Sequence, residues 1–375
     1  MNFRNFISSV IVNRHGWFTS RKLVVIESDD WGSIRMPNQQ TYKHCLESGY
    51  PVHKSLYDRY DSLESEEDLE KLFEVLRSVK NRIGQSPIIT ANCVVSNPNF
   101  EAISDSGFFE YFYEKVTETF RKTPNALSSF SLWKLGLEEK FFVPQFHARE
   151  HLNVSLFMEA LRNNDADAHF AFKAGMPGIM KQGVENMGNN FIEATRYSNE
   201  KDKFDKLSIY LEGLRLFEEI LGYKSKSIIP TNYLWTEQFN STLRKAGVDY
   251  IQGTKKGLEP KVNEGGVRIY ERKLGENRGG LISLVRNCFF EPTLMGFESS
   301  VDDCLKQVNL AFILKKPAII CSHRINYVAT LDSQNRDRNL IYLKQLLSMI
   351  VNKWPDVEFV SSAQLGDIIT KAEKN

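Results

Sequence analysis

Apolar runs long enough to form buried β-strands alternate with amphipathic helical patterns along most of this 375-residue chain. The run KLVVIESDD, residues 22–30, stays apolar until it ends in acidic residues, which is typical of a parallel strand covered on both faces. A helical pattern follows, and Ser65 with Asp68 three residues later has the signature of a capped helix start. Strand and helix alternate about seven times, which predicts a parallel α/β sheet or barrel.

Long segments between the predicted strands are interpreted as insertions into one barrel domain that takes up residues 1–375. The insertions are expected at about 38–85, 100–137 and 175–200. Besides the first strand, strands are predicted at 86–95, 140–147, 165–174, 226–230, 249–254, 279–290 and 316–323.

Composition narrows the classes of partner and the compartment. The chain has 48 basic and 47 acidic residues, so the basic surplus expected of a nucleic-acid-binding protein is missing. Its five cysteines include no CxxC pair, which favours a reduced, cytoplasmic setting. The apolar stretch near the N-terminus is too short for a membrane helix, and no small-residue cleavage site of a signal peptide follows it. We therefore expect no membrane span. The oligomeric state stays open.

Polar residues follow several of the predicted strands, at the point where each strand ends. Asp29 and Asp30 close the first strand, His147 follows a later one, and His323 ends another. Because the carboxyl ends of barrel strands form one rim, these residues are expected to meet. His151 lies four residues after His147, and on the first turns of a helix the two rings would share a face. Two imidazoles and a carboxylate form a common three-ligand metal site.

Each of these features has a plainer interpretation when it is taken alone. His147 and His151 could make ordinary surface hydrogen bonds, Asp29 and Asp30 could cap a helix, and His323 could be a satisfied core histidine. Their combination at strand ends favours the metal site.

Four motifs occur in a characteristic order: VVIESDDWG, PQFHAREHLN, SIIPTNYLWTEQFNSTLRKAGVDYIQGT and PAIICSH. In this order they resemble the motifs of the polysaccharide deacetylases, carbohydrate esterase family four, over roughly residues 20–370. The chain looks like a divergent, non-exported member. The resemblance implies an α/β fold, a distorted seven-stranded (β/α) barrel with insertions.

By position, the resemblance implies that Asp29 is the general base and His323 the general acid. It implies Asp30, His147 and His151 as ligands of a divalent ion, with zinc expected and cobalt, nickel or manganese also suited to such ligands. The implied reaction is hydrolytic removal of an N-acetyl group from an amino sugar or glycan precursor. An N-acetylated sugar or oligosaccharide is therefore the expected partner.

One departure from the family concerns the arginine that usually precedes the proline of the third motif and orients the base. Here that stretch is SIIPTNY, without an arginine, and Arg149, Arg286 or Arg324 are candidates to replace it. The departure leaves open a non-catalytic glycan-binding protein on the same scaffold. A related metal-barrel glycosidase is a further alternative.

Substrate contacts are expected from aromatic side chains beside the motifs, which can stack on a sugar, and from polar groups at strand ends. For the aromatic residues packing at the rim is an equally good interpretation, and for Arg286 and Asn287 a structural role is. The candidates are Trp31, Arg149, Tyr233, Trp235, Arg286 and Asn287.

Overall fold

The computed structural model describes residues 3–180, 191–262, 266–297 and 300–372. The part of the expected insertion 175–200 that falls at 181–190 lies outside the described residues. Among the helices that are described, none is long and apolar enough to cross a membrane.

Fourteen strands are formed by the described residues. In chain order they are β1 (Leu23–Trp31), β2 (Ile89–Val94), β3 (Ser96–Pro98), β4 (Tyr113–Lys115), β5 (Phe142–Ala148), β6 (Ser227–Ile228), β7 (Tyr250–Gly253), β8 (Lys256–Pro260), β9 (Val267–Glu271), β10 (Asn277–Arg278), β11 (Leu281–Val285), β12 (Cys288–Phe289), β13 (Ala318–His323) and β14 (Glu358–Phe359).

Helices cover most of the remaining described chain. They are α1 (Phe3–Asn13), α2 (Gln39–Glu47), α3 (Leu56–Tyr60), α4 (Glu66–Ser78), α5 (Phe100–Asp105), α6 (Val116–Lys122), α7 (Ser129–Glu138), α8 (Val154–Arg162), α9 (Ala166–Lys173), α10 (Glu200–Leu221), α11 (Asn240–Ala246), α12 (Pro292–Met295), α13 (Ser300–Ile313), α14 (Ser333–Lys353) and α15 (Ser362–Ala372). Short 3₁₀ turns lie at Val52–Lys54, Thr231–Tyr233, Glu237–Phe239 and Arg324–Asn326.

One large curled sheet dominates the fold. Its strands follow the order β10-β11-β7-β6-β5-β2-β1-β13-β12, and β14 also pairs with β1. Neighbours on this path are parallel except β10 and β11, which are antiparallel. The α/β class and the barrel-like sheet agree with the prediction from the sequence, but the count of seven strands is wrong, since nine strands lie on the path.

The segment that holds β11 and β12 explains much of the difference in strand count. Between the two strands, the backbone N–H of Arg286 donates to the carbonyl of Gly253 at 2.8 Å. The backbone N–H of Asn287 donates instead to the carbonyl of Ile319 at 3.1 Å. This extended stretch therefore changes neighbours from β7 to β13 and counts as two strands, and the two-residue edge strand β10 adds one more. β11 and β12 are the two ends of the parallel part of the path. Because they are consecutive in one chain segment, the sheet must curl to bring these ends together.

Residues 165–174 were expected as a strand, and this prediction is wrong, because they form helix α9. The Asp165 carboxylate accepts a hydrogen bond from the Ala168 amide at 2.9 Å and caps the helix. Ala168, Ala171 and Phe172 then lie on one face, at helical spacing, and are buried. The alternation of apolar residues in this stretch fitted both periods, and the cap decides for the helix.

Inward-facing residues of β1 show how the sheet positions a site. Leu23 and Val25, near the amino end of β1, belong to an apolar cluster that includes Ile319 and Leu365. Because alternate residues share a face, Glu27 and Asp29 follow on the same side, toward the carboxyl end. The interior thus changes from apolar to charged toward the rim.

Candidate metal centre

The end of β1 brings two adjacent carboxylates to one cavity. A strand would point Asp29 and Asp30 to opposite sides, but the register with β2 shifts between Ser28 and Trp31. Such bulges re-aim side chains, and Asp30 has a φ of 77°, which is costly for a residue other than glycine. Gly32 continues the turn at a φ of 78°. Both carboxylates consequently line the same cavity of about 340 Å³.

His147 is part of β5, and its ring is fixed by a hydrogen bond. Its Nδ1 lies 2.8 Å from the carbonyl oxygen of Ile229, which can only accept, so Nδ1 carries the proton. Its other ring nitrogen, Nε2, lies 3.4 Å from Oδ1 of Asp30. A metal-binding imidazole usually donates its other nitrogen to such an acceptor.

His151 approaches the same carboxylate oxygen from the turn after β5. Its Nε2 lies 3.3 Å from Oδ1 of Asp30. The expectation that the two histidines share a helical face is wrong, because β5 ends at Ala148 and α8 begins only at Val154. A strand end and the following turn, rather than an i, i+4 helix face, bring the two rings together.

The side chains of Asp30, His147 and His151 fit a divalent cation. Each offers one ligand atom, and these atoms lie within 4.8 Å of one another. All three residues are buried, and all three line the cavity. Burial, and after it the charge of Arg35, holds the pKa of His151 well below its ordinary value, so the ring is neutral, as a metal ligand must be. Two imidazole nitrogens and one carboxylate oxygen suit a catalytic zinc-type site with an open position.

Asp29, next to this ligand set, forms a bidentate ion pair with Arg286. The guanidinium donates from Nη1 to Oδ2 at 2.8 Å and from Nη2 to Oδ1 at 2.7 Å, and Asn92 donates to Oδ1 at 2.8 Å. Burial raises the pKa of Asp29, but the charge and hydrogen bonds of Arg286 outweigh it and hold the pKa below the ordinary value. The carboxylate is therefore ionised and aimed into the cavity.

Of the three arginines that are candidates to replace the one missing from SIIPTNY, Arg286 is the one that contacts Asp29. Of the other two candidates, Arg149 pairs with Glu150 and Glu212, and Arg324 pairs with Asp61 and Glu64. Neither of them contacts Asp29 through a salt bridge or hydrogen bond within the described residues.

A buried polar layer beneath Asp29 was missed by sequence reasoning. The Nε of Arg286 donates to Glu27 at 2.6 Å, and Asn92 also donates to Gln252 at 2.9 Å. Each of these polar residues interrupts an otherwise apolar strand: Glu27 in VVIES, Asn92 in ITANCV and Gln252 in YIQG. Polar residues in the middle of buried strands need partners, and that signal was available in the sequence.

His323 ends β13 and faces Asp29 across the cavity. Its Nε2 lies 3.7 Å from Oδ2 of Asp29, and its Nδ1 lies 2.5 Å from Oε1 of Glu291. Asn326 donates to the other oxygen of Glu291 at 2.7 Å and fixes it. Burial lowers the pKa of His323, but the charge of Glu291 and the hydrogen bond to it raise the pKa to about 9. Glu291 follows β12 in NCFFEP and was not predicted from the sequence.

Replacing Glu291 is expected to shift the pH dependence of any reaction that uses His323 as an acid. The ring donates a proton only below its pKa, so the rate should fall as pH rises through about 9. In Glu291→Gln the raising charge is lost while burial remains, so the fall should occur at lower pH. A pH–rate profile of kcat/KM checks this, with the exposed Glu237→Gln as control. An unchanged alkaline limb in E291Q would contradict the claim that Glu291 raises the pKa of His323.

Of the residues expected to bind substrate, Tyr233 alone lines this cavity. Trp31 and Trp235 are 1% exposed, and their indole N–H groups donate to Ser28 and Asn240. Their rings pack in the core, so the expectation of sugar stacking is wrong for both.

The polar residues expected to bind substrate also lie in the protein interior. Asn287 bonds to Asn13 and to the carbonyl of Pro317, and Arg149 is held by its two glutamates. Arg286 is fully buried behind Asp29. For these three side chains a structural or positioning role replaces substrate contact.

Comparisons with known proteins give structural neighbours only. No protein-family model matches the sequence, and no curated protein matches it. The chain is similar in structure to a protein from Mycobacterium smegmatis that is assigned as a polysaccharide deacetylase (TM-score 0.46, 10% identity, 96% of this chain and 94% of that one). It is also similar to an allantoinase (TM-score 0.43, 11% identity, 94% and 91%).

A third neighbour, a 4-alpha-glucanotransferase from Thermococcus litoralis, has a TM-score of 0.43 and 9% identity. The match takes in 92% of this chain but only 40% of the length of that enzyme. At such TM-scores and identities the likeness decides nothing about activity, and the function proposed below rests on the geometry of the metal centre.

Proposed function

We propose that this protein is a metal-dependent hydrolase that removes the N-acetyl group from an amino sugar or glycan precursor. The observation that carries the proposal is the convergence, around one cavity, of a three-ligand set with an ionised carboxylate and a protonated imidazole. Asp29 is the proposed base and His323 the proposed acid. Asp30, His147 and His151 are the proposed ligands, and zinc is the proposed ion.

The protein residues around the ligands divide the remaining chemistry. A divalent cation held there would polarise the acetyl carbonyl and lower the pKa of a water molecule beside it. Asp29 accepts a proton from this water as its oxygen bonds to the carbonyl carbon, and Arg286 keeps the carboxylate ionised and aimed. The carbon–nitrogen bond then breaks, and His323 gives its proton to the departing nitrogen. The products are acetate and a free amine.

The charged partners of Asp29 and His323 favour this division of roles. Asp29 has its pKa lowered by Arg286, after burial is outweighed, and is ready to accept a proton. His323 has its pKa raised to about 9, chiefly by Glu291 against burial, and is ready to donate one. Two titratable groups whose environments push their pKa values apart are the usual pattern of an acid–base pair.

Shape supports a sugar as the substrate. The cavity of about 340 Å³ lies near the lower end of the usual range for small-molecule sites. Tyr57 and Tyr233 contribute aromatic rings to its wall, which can contact the apolar face of a sugar. A wider cleft of about 1050 Å³ adjoins it at Arg35 and offers room for further sugar units.

Acetate release tests the proposal directly. The purified protein is stripped with a chelator, reloaded with zinc, and incubated with N-acetylglucosamine and its oligosaccharides. Acetate should form only after reloading. A reducing-sugar product without acetate would instead identify a glycosidase, and no product from any member of the panel, with a loaded metal, would contradict the proposed activity.

His147→Ala is expected to lose both the bound ion and turnover, because it removes one of three ligands. His169→Ala is the matched control, since His169 lies on α9 and bonds to the carbonyl of Leu161 at 2.9 Å. Metal content by elemental analysis should fall from about one equivalent to well below it in H147A only. If H147A kept the ion, the proposed ligand set would be wrong.

A further inference from the structure

Arg35 is a charged residue of the cavity for which the reaction above has no role. It follows Asp30 by five residues, and the turn between them returns it to the same cavity. That turn is held from outside, because Arg324 donates to the carbonyl of Ser33 at 2.8 Å. The guanidinium carbon also lies 5.8 Å from the centre of the Tyr57 ring, a cation–π distance that supports its orientation.

The guanidinium of Arg35 points at the centre of the ligand set. Its Nη2 lies 3.6 Å from Oδ1 of Asp30, the oxygen that Nε2 of His147 and Nε2 of His151 also approach. Arg35 therefore lies beside the position at which the scissile group must bind.

Within the described residues, Arg35 has ion-pair contacts but no hydrogen bond of normal length. Its contacts to Asp30 and Asp61 are 3.6 and 3.5 Å, and its side chain is only 12% exposed. Its Nε, which makes the contact to Asp61, is buried and has no hydrogen-bond partner there. Since a guanidinium has five N–H donors and a buried donor without an acceptor is costly, an acceptor in the cavity would stabilise it.

The charge of Arg35 compensates the nearby acids, but they do not take up its hydrogen-bond donors. Asp61 already receives one hydrogen bond on each oxygen from Arg324, both of 3.1 Å. Asp30 lies beyond hydrogen-bond distance of Arg35 and has two closer imidazole neighbours. The donors of Arg35 are thus available to a ligand rather than committed to the fold.

We propose that Arg35 is a catalytic residue that donates hydrogen bonds to the acetyl carbonyl oxygen as it becomes an oxyanion. The inference rests on the proposed hydrolysis, in which the electron pair of the carbonyl π bond moves onto that oxygen when water attacks the carbon. Donors placed where charge develops stabilise the transition state more than the bound substrate. Arg35 is charged and shielded from solvent, which strengthens this effect.

Binding of methylphosphonate, a tetrahedral oxyanion, to the zinc-loaded protein tests the inference without any turnover. Calorimetry should show affinity in the wild type and at least a tenfold loss in Arg35→Met. The matched control is Arg59→Met, since Arg59 belongs to α3, is exposed and stacks on Tyr60 at 4.9 Å. In R59M the affinity should stay at the wild-type value.

Kinetics provide the second readout. In R35M kcat should fall by about 10²- to 10³-fold, with a much smaller change in KM, as for the loss of one oxyanion donor. Guanidinium ion added to Arg35→Ala should restore part of the rate. If R35M instead loses zinc or melts earlier, while its loaded fraction binds methylphosphonate and turns over like the wild type, the role is structural and the inference is overturned.

The two proposals fail in different ways. Acetate release with a rate and a methylphosphonate affinity that do not depend on Arg35 rejects the inference alone. No acetate release, together with Arg35-dependent methylphosphonate binding, rejects the deacetylase proposal and leaves an oxyanion site at Arg35.

Discussion

Asp29→Asn is expected to lower turnover by about 10²- to 10⁴-fold, the usual contribution of a general base, and to leave the metal in place. The amide has nearly the same shape but cannot take a proton from water. The ligands Asp30, His147 and His151 are untouched, so metal content should stay at about one equivalent. Acetate release and elemental analysis of the same sample check both parts.

The exposed Asp356→Asn is a suitable control for this change. Asp356 pairs with Lys22 at 2.6 Å, and neither residue lines the cavity, so its replacement should leave turnover and metal content unchanged. Full turnover in D29N would remove the proposed base. Loss of the ion in D29N would mean that Asp29, and not Asp30 alone, holds it.

Arg286→Met is expected to destabilise the protein by about 3–5 kcal/mol, the usual result of removing one partner from a buried charge pair. The guanidinium is fully buried between the carboxylates of Glu27 and Asp29, and both would lose their compensating charge. Chemical denaturation measures the free energy of unfolding. The exposed Arg244→Met, which breaks the surface pair with Asp249, should cost less than about 1 kcal/mol.

The same variant should also change the pH dependence of turnover. Arg286 holds the pKa of Asp29 low against burial, so in R286M that pKa rises and the carboxylate is protonated over more of the acidic range. The acidic limb of the rate profile should move to higher pH. Glu27→Gln in the R286M background removes one of the unpaired carboxylates and should recover part of the stability. A stable R286M with an unchanged acidic limb would contradict the positioning role.

Local patterns in the sequence were sufficient for most elements of the sheet. The run at residues 22–30 became β1, and Ser65 with Asp68 forms a capping box at the start of α4. These features depend on periodicity and on hydrogen bonds between near neighbours, which a single chain displays directly. The strand prediction for residues 165–174 failed because a short apolar alternation fits both a strand and a helix.

Contacts between distant segments set the limit of prediction. The order of motifs brought Asp30, His147 and His151 to one expected site, and the structure places them together. For the partner of Asp29 the sequence left three candidate arginines, because Arg286 lies 257 residues away and only the curl of the sheet brings it there. Glu291 was missed for the same reason. Arg35 follows Asp30 by only five residues, and it was missed because the turn that returns it to the cavity was not predicted.

The aromatic predictions show a different limit. Trp31 and Trp235 flank the motifs in sequence, but the strand pleat and the local turns direct their rings into the core. Proximity in sequence to a catalytic residue says little about which way a side chain points. The missing third-motif arginine was the main support for a non-catalytic scaffold, and the position of Arg286 removes that support.

Anomalous diffraction from crystals grown with zinc, recorded at the zinc absorption edge, tests the central claim most directly. The account predicts one strong peak about 2.0–2.2 Å from Nε2 of His147, Nε2 of His151 and a carboxylate oxygen of Asp30. A cavity without a peak in crystals grown at a saturating zinc concentration, or a peak held by other side chains, would contradict it.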